Sequence, residues 1–371
     1  MHIFVIIVVA AILYHLQVVL YKKNWDKNLE VYVHYEKSQA FEGEKVNLSE
    51  VVVNRKWLPL PVVHIKLMLS KYLEFPDSKN ANVSDNFYRD DLVSIMSYKK
   101  ITRTLQFTCA KRGYYPIKSF DIVTTDIFLR SSLAKNIPLA EHLYVYPKIL
   151  SDSMIEIPFQ KMFGTILSKR LLNDDPFEFA GIREYQIYDS MRDINWKASA
   201  KTGDLKVNVH DYTASQHVII FLNLETYALT QPKELKEESI RLAATYANAF
   251  IQNGIPVELY TNAKDLLLHD PIHVTAGSSM SHMTQINEAL ARIDLEQEID
   301  SFTPFIEPYL ENAGKQTYCL FISSYQKEDF QTRLIELKHE KKDFTWIVPS
   351  TTQLLYSIDS ELENCCYHYI L

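Results

Sequence analysis

Gly181-Ile-Arg-Glu-Tyr-Gln-Ile-Tyr-Asp-Ser-Met-Arg-Asp-Ile-Asn-Trp-Lys-Ala-Ser-Ala-Lys-Thr-Gly-Asp-Leu-Lys-Val-Asn-Val209 is the stretch on which the reading of this chain turns. Asp189 or Ser190 is suited to cap a short helix. Arg192 and Trp196 then share a helical face, and Asp193 and Lys197 pair at the same four-residue spacing. Gly203 suits the left-handed residue that closes such a helix. Leu205, Val207 and Val209 alternate with Lys206, Asn208 and His210, the period of a strand with one buried face. The result is a charged helix-turn-strand clasp that leads into the next strand, residues 217–223.

Downstream of the clasp the pattern is α/β. Residues 217–223 form a continuous apolar run, as in a buried parallel strand, and 233–252 are helical, with Leu235, Ile240, Ala243, Ala244, Ala247 and Phe250 on the inner face. Gly254 stops that helix. Strands at 257–260, 318–323 and 344–348 alternate with helices at 281–293, 302–312 and 327–341, which predicts a mostly parallel sheet covered on both faces.

Upstream the period is two. Runs at 29–35, 46–53, 62–69, 92–97, 101–109 and 120–129, separated by turn residues at 41–44 and 111–114, predict an antiparallel β-sandwich. The Tyr and Phe residues here recur at strand spacing and read as sheet packing. Residues 77–91 read as an exposed polar loop, and 151–180 as a connector with one helix at 160–172. Residues 3–21 are apolar apart from His15 and Gln17 and match the hydrocarbon thickness of a bilayer. A buried core helix is the competing account of that stretch. A cleaved signal peptide is not, because no Lys or Arg precedes the stretch and no small-residue cleavage site ends it. Tyr14, Tyr21 and Trp25 are placed for the membrane interfaces, and Lys22, Lys23 and Lys27 follow the span, so the positive-inside rule puts the soluble body in the cytoplasm of a single-pass protein. The expected organisation is therefore an anchor at 1–23, a β-sandwich domain at 28–150, a connector at 151–180, and the clasp with its α/β domain at 181–371.

Composition narrows the function. A net charge of −7 spread over both signs, without a basic stripe, argues against nucleic acid as a partner. With 8 glycines there is no Gly-rich phosphate loop, so any ATP would have to be bound by a partner. Cys109, Cys319, Cys365 and Cys366 fit neither a disulfide framework nor a zinc ribbon, and are expected as reduced thiols.

Arg183-Glu184-Tyr185, Asp189, Arg192, Ile194, Asn195-Trp196, Ala200-Lys201 and Leu205 resemble the signature of a bacterial family called domain of unknown function 58. Asn54, residues 58–61, 125–129 and 145–147 are similar to further segments of that family. Family members carry Gly before the aspartate, where this chain has Tyr188, and commonly two membrane spans, where this chain has room for one. The resemblance implies a membrane-tethered protein with a β-rich domain and a von Willebrand factor A-like domain, often encoded beside a MoxR-type AAA+ ATPase. It implies no reaction.

In open α/β sheets ligands sit at the carboxyl ends of the strands. Domains of the von Willebrand kind that bind magnesium place Asp-x-Ser-x-Ser there, supplying hard oxygens to a hard cation. This chain has Asn223-Leu224-Glu225-Thr226-Tyr227, with Ser323 and Ser324 at the end of a later strand. The expectation is a degenerate site, Asn223, Glu225 and Ser323, whose surface still contacts a partner. His269, His273 and His282 do not share a helical face, because Pro271 intervenes. Cys365-Cys366-Tyr367-His368 reads as an apolar terminal strand, and no local signature supports a Cys/His hydrolase. Arg183, Tyr185, Asp189, Arg192, Asn195, Trp196 and Lys197 are the candidates for a docking surface. The alternative for Arg192 is a cation–π brace on Trp196. The expected function is a membrane-anchored, non-enzymatic adaptor working with a MoxR-type ATPase and without a cofactor. A magnesium-dependent binding module is the alternative, and a cysteine hydrolase the third class.

Overall fold

A computed structural model describes residues 2–76, 81–83, 86–151, 153–173, 179–186, 191, 194–210, 217–225, 233–312, 317–351 and 358–371. The chain forms two units, Met1–Lys148 with Leu290–Arg292, and Ile149–Ala289 with Ile293–Leu371.

The first unit opens with helix α1 (His2–Asn24), whose large apolar side chains from Ile3 to Leu16 are mostly exposed. Among the described residues it is the one helix long and apolar enough to cross a membrane. Its last turn behaves differently. Tyr21 and Trp25, expected at a membrane interface, are buried instead. The Tyr21 hydroxyl donates to the Pro59 carbonyl at 2.8 Å, and the Lys56 ammonium donates to the Trp25 carbonyl at 2.7 Å. Burial of these two large rings, with the Tyr21 hydroxyl and the Trp25 carbonyl hydrogen-bonded to Pro59 and Lys56, fastens the helix to the β unit.

Ten strands follow: β1 (Leu29–Tyr35), β2 (Gln39–Phe41), β3 (Lys45–Asn54), β4 (Leu60–Ser70), β5 (Leu73–Glu74), β6 (Ala81–Val83), β7 (Asn86–Ile95), β8 (Lys99–Cys109), β9 (Gly113–Thr125) and β10 (Ser132–Tyr146). They make a four-stranded sheet in the order β1-β3-β8-β5 and a six-stranded sheet in the order β2-β10-β9-β4-β7-β6. All described pairings are antiparallel except that of β2 with β10. Alternate residues of both sheets, among them Val33, Leu48, Phe107, Ile65, Phe120 and Val145, fill one hydrophobic core.

Three expectations are corrected here. The strand expected at 120–129 ends at Thr125, and Ile127 to Leu129 form a turn. β10 went unread because its first half is polar and broken by a bulge between Pro138 and Glu141, where a missing N–H is tolerated. The polar loop expected at 77–91 is in part strand, with Arg89 and Asp91 buried; residues 77–80 and 84–85 lie outside the described ones. Arg89 Nε donates to Asp91 Oδ2, and Arg103 Nη1 lies 2.9 Å from Asp91 Oδ1, so the buried charge is paired.

The second unit begins with α2 (Ser153–Asn173), which buries Ile155, Met162 and Ile166, so most of the expected connector is a packed helix. A two-stranded sheet of β11 (Phe179–Glu184) and β12 (Lys206–His210) flanks α3 (Trp196–Thr202) in sequence. The main sheet is built from β13 (Val218–Asn223), β14 (Val257–Lys264), β15 (Pro271–Gly277), β16 (Tyr318–Ser323), β17 (Asp343–Ser350) and β18 (Cys366–Ile370), in the order β15-β14-β13-β16-β17-β18. Every described pairing is parallel except that of the edge strand β15 with β14. Helices α4 (Lys233–Gln252), α5 (Met280–Ala291), α6 (Phe302–Asn312) and α7 (Glu328–His339) alternate with the strands.

β13 is buried along its whole length, as its unbroken apolar run demands. The six residues expected on the inner face of α4 are all buried, and Gly254 ends the helix at φ 73°. β15 was not foreseen, because Pro271 at its start and Gly277 at its end read as turn residues; Pro is admitted at the first position of an edge strand.

Candidate functional site

The parallel strands run β14-β13-β16-β17-β18, which is order 2-1-3-4-5 counted along the chain, so the direction of winding reverses between β13 and β16. In this architecture the crevice at that reversal is the usual ligand position. The chain puts Asn223 at the end of β13 and Ser323 at the end of β16, directly paired in register. Both are buried.

Their polar atoms are consumed by the protein itself. Asn223 Oδ1 accepts from the Glu225 backbone N–H at 2.8 Å and from Asn262 Nδ2 at 3.0 Å. Asn262 Oδ1 accepts from the Leu224 N–H at 3.0 Å, and its Nδ2 also donates to the Asp300 carbonyl at 2.7 Å. A backbone N–H can only donate, so each amide has one orientation, and Asn223 Nδ2 must face Ser323 Oγ, 3.0 Å away. Ser323 Oγ also accepts from the Tyr325 N–H at 3.1 Å. A donor therefore stands where a hard cation needs an oxygen, and this donor set does not fit magnesium.

Glu225 has a structural partner as well. Its Oε2 accepts from the Phe302 N–H at 3.0 Å, in the first turn of α6, a helix with no acidic residue of its own there. A carboxylate at that end satisfies an otherwise unpaired donor and complements the helix dipole. Nearby, the Tyr325 phenol is pushed up to about 12, first by burial and then by the charges of Glu225 and Asp329. That excludes Tyr325 as a base at neutral pH. Asn262 was missed in the sequence, although the rule that ligands gather at strand ends pointed to it. Thr226 and Tyr227 lie outside the described residues.

The clasp is the second candidate. α3 begins at Trp196, with Asn195 as its cap: Asn195 Oδ1 accepts from the Ala198 N–H at 2.9 Å. The caps expected at Asp189 and Ser190, and the pairs Arg192–Trp196 and Asp193–Lys197, involve Asp189, Ser190, Arg192 and Asp193, all outside the described residues. Gly203 closes the helix at φ 83°, its N–H bonded to the Ser199 carbonyl, as expected. Ile194 and Val207 are buried at the seam where these residues bridge, whereas Leu205, read as part of a buried strand face, precedes β12 and is exposed. Arg183, Trp196 and Lys197 are exposed, Trp196 by 65%, and Tyr185 is half-buried. Asn195 is half-buried, and its Oδ1 serves the helix.

The histidines are dispersed. His282 bonds the Val257 carbonyl, His269 faces Gln297, and His273 lies 2.9 Å from Glu258, which His217 also approaches at 3.5 Å. Among the described residues no three His, Cys, Asp or Glu side chains form a metal cluster. Burial pushes the thiols of Cys109, Cys319 and Cys366 up to about 12, leaving them poor nucleophiles. β18 accounts for the terminal Cys365-Cys366-Tyr367-His368 run, from Cys366 onward.

These observations define a mixed α/β protein with an apolar N-terminal helix, several sheets, and strand ends tied together by their own amides. Residues 181–345 match the family model described as Protein of unknown function DUF58, which supports that family for the clasp and most of the α/β sheet. No curated protein matches the chain. Among similar solved structures is AvmM, described as catalysing macrocyclization in alchivemycin A biosynthesis, at 9% identity over 34% of this chain and 94% of that one, with a TM-score of 0.24. A non-cellulosomal cohesin from Archaeoglobus fulgidus is 12% identical over 34% of this chain and 96% of its own, with a TM-score of 0.22. The cohesin–dockerin complex Coh-OlpA-Doc918 from Clostridium thermocellum is 14% identical over 31% and 98%, with a TM-score of 0.22. Similarities at this level carry no argument about fold or function.

Proposed function

We propose that this protein is a membrane-anchored, non-enzymatic adaptor that presents protein-binding surfaces, with a MoxR-type AAA+ ATPase as its partner. The observation that carries the proposal is the set of hydrogen-bonded strand ends, where, among the described residues, Asn223, Asn262 and Ser323 bond to one another rather than presenting oxygens to a cation. We infer that the first unit is a β-sandwich and the second a von Willebrand factor A-like domain. Support for the latter lies in the strand order, five parallel strands with an antiparallel edge at β15. The exposed Arg183 and Trp196 are of the residue types that dominate protein-binding hot spots, with Lys197 beside Trp196 in sequence, which favours the clasp as the docking surface. Lys22 and Lys23 in the last turn of α1, with Lys27 just beyond it, support a cytoplasmic body. The ATPase as partner rests on the family resemblance alone.

The test is cross-linking in native membranes, affinity capture of the tagged protein and mass spectrometry, with Arg183→Glu in parallel. Co-purification of an AAA+ ATPase that the folded variant loses is the expected result. Capture without any ATPase, despite verified cross-linking, overturns the partnership.

A further inference from the structure

Strand register gathers four connections at one end of the β unit. The pairs Leu29–Asn54, Asn54–Lys99, Leu60–Ile95 and Thr125–Ser132 bring together the α1–β1 junction and the loops at 55–59, 96–98 and 126–131. This is the end from which α1 leaves. Loop tips here are unexpectedly apolar: Trp57, Met96, Tyr98, Ile127, Phe128 and Leu129 are each more than half exposed. So many large apolar side chains at one end of a fold mark an interaction surface.

The position of the 126–131 turn identifies what that surface meets. The Phe128 ring lies 5.7 Å from the ring of Tyr14, which belongs to the apolar part of α1. Residues 3–20 rise about 27 Å at ~1.5 Å per residue, close to the ~30 Å hydrocarbon core of a bilayer. Tyr14 therefore sits about 9 Å inside the end of that stretch. A turn that touches Tyr14 must share its depth. Its backbone suits a dry setting: the Leu129 N–H bonds the Asp126 carbonyl and the Arg130 N–H bonds Asp126 Oδ1, both at 3.0 Å. Two of the turn's N–H groups are thus satisfied within the protein, which lowers the cost of moving its tip out of water.

Charge at the same end is mainly positive. Lys22, Lys23, Lys99, Lys100 and Arg130 are exposed, while Asp26 is paired with Lys135 at 3.0 Å and Glu30 with Arg55 at 3.2 Å. Exposed lysines beside Trp and Tyr form the pattern of a surface resting on anionic headgroups. We propose that this end of the β unit is seated in the membrane, with the 127–129 tip inserted beside α1 and Trp57 and Tyr98 in the headgroup layer of an anionic phospholipid bilayer. The proposal rests on the anchoring role of α1.

The experiment uses the full chain in vesicles of phosphatidylcholine and phosphatidylglycerol, with Cys365 and Cys366 replaced by serine. An environment-sensitive fluorophore is attached to a single introduced cysteine, Phe128→Cys, Ile127→Cys, Ile7→Cys or Lys71→Cys, and quenched with tail-brominated lipid. Strong loss of emission at 7 and at 127 or 128, with none at 71, is the expected outcome. Quenching at 7 alone overturns the seated surface while leaving the anchor intact. No quenching at 7, 127 or 128 overturns both. Two labelled positions in the turn guard against one of them disturbing the fold, which near-ultraviolet circular dichroism monitors.

Discussion

Each unit hides a polar cluster in its interior, and the two clusters are built on opposite principles. The β unit buries charge: Glu50, Arg89 and Asp91 lie inside it, with Arg103 at the margin. The α/β unit buries neutral amides at the crevice of its parallel sheet, Asn223 and Asn262, with the hydroxyl of Ser323. Charge inside protein is tolerated only while it is paired, and its balance follows pH. Amides pay a smaller desolvation cost and do not titrate. The first cluster therefore makes stability depend on pH, and the second is a hydrogen-bonded lock across a position that often holds a ligand.

The largest effect should come from breaking the charged cluster. Asp91→Asn leaves Arg89 buried without its carboxylate, and the loss expected for such an uncompensated charge is about 3–5 kcal/mol. Denaturant unfolding at neutral pH measures it; a change under about 1 kcal/mol would show that the Arg89–Asp91 pair is not buried as described.

Glu50 makes the opposite case. Burial first, and the charge of Asp91 second, push its carboxyl from 4.5 up to about 8. The folded chain thus holds a proton that the unfolded chain has released, so stability falls as pH rises from 4.5 to about 8 and stays lowered above it. Glu50→Gln removes that dependence and should stabilise the chain by about 1–3 kcal/mol above pH 8. A variant whose stability keeps the wild-type slope across this window would remove Glu50 as its source.

Asn223→Asp sharpens the comparison, because it puts charge into the neutral cluster. The substitution removes the donor to Ser323 and buries a carboxylate against neighbours arranged around an amide, at an expected cost of about 1–3 kcal/mol. Millimolar magnesium should leave the melting temperature of the natural chain unmoved. Recovery of the variant's stability by magnesium would mean that the crevice keeps the geometry of a metal site and lacks only the acid. Magnesium stabilisation of the natural chain, abolished by Glu225→Ala, would favour the metal-dependent module over the adaptor.

Much of this is legible in the sequence. Long runs with one period, such as Val218–Asn223 and Lys233–Gln252, declared themselves because burial on every face, or on one stripe, leaves a strong pattern. β15 and the first half of β10 did not, since edge and half-exposed strands carry Pro and polar residues that mimic turns. Asn223, Glu225 and Ser323 were identified, but their roles were not. Whether an amide presents oxygen or nitrogen depends on donors elsewhere in the chain, here the Glu225 and Leu224 N–H groups and Asn262. No local pattern encodes that. Asp, Ser and Asn all suit a helix cap: α3 takes Asn195, and the caps read at Asp189 and Ser190 lie outside the described residues.

The smallest effect separates a lock from a ligand. Glu225 reaches the first turn of α6 from far away in sequence, and its Oε2 accepts the Phe302 N–H. If that is its purpose, Glu225→Ala should destabilise the α/β unit by about 1 kcal/mol, the size of a lost helix-terminal anion. Glu225→Gln should retain part of it, because an amide oxygen can still accept the N–H but supplies no charge to the dipole. The difference between the two variants should shrink with added salt, as a surface-accessible charge term must. Equal losses in both variants, independent of salt, would instead show that shape at this position matters and charge does not.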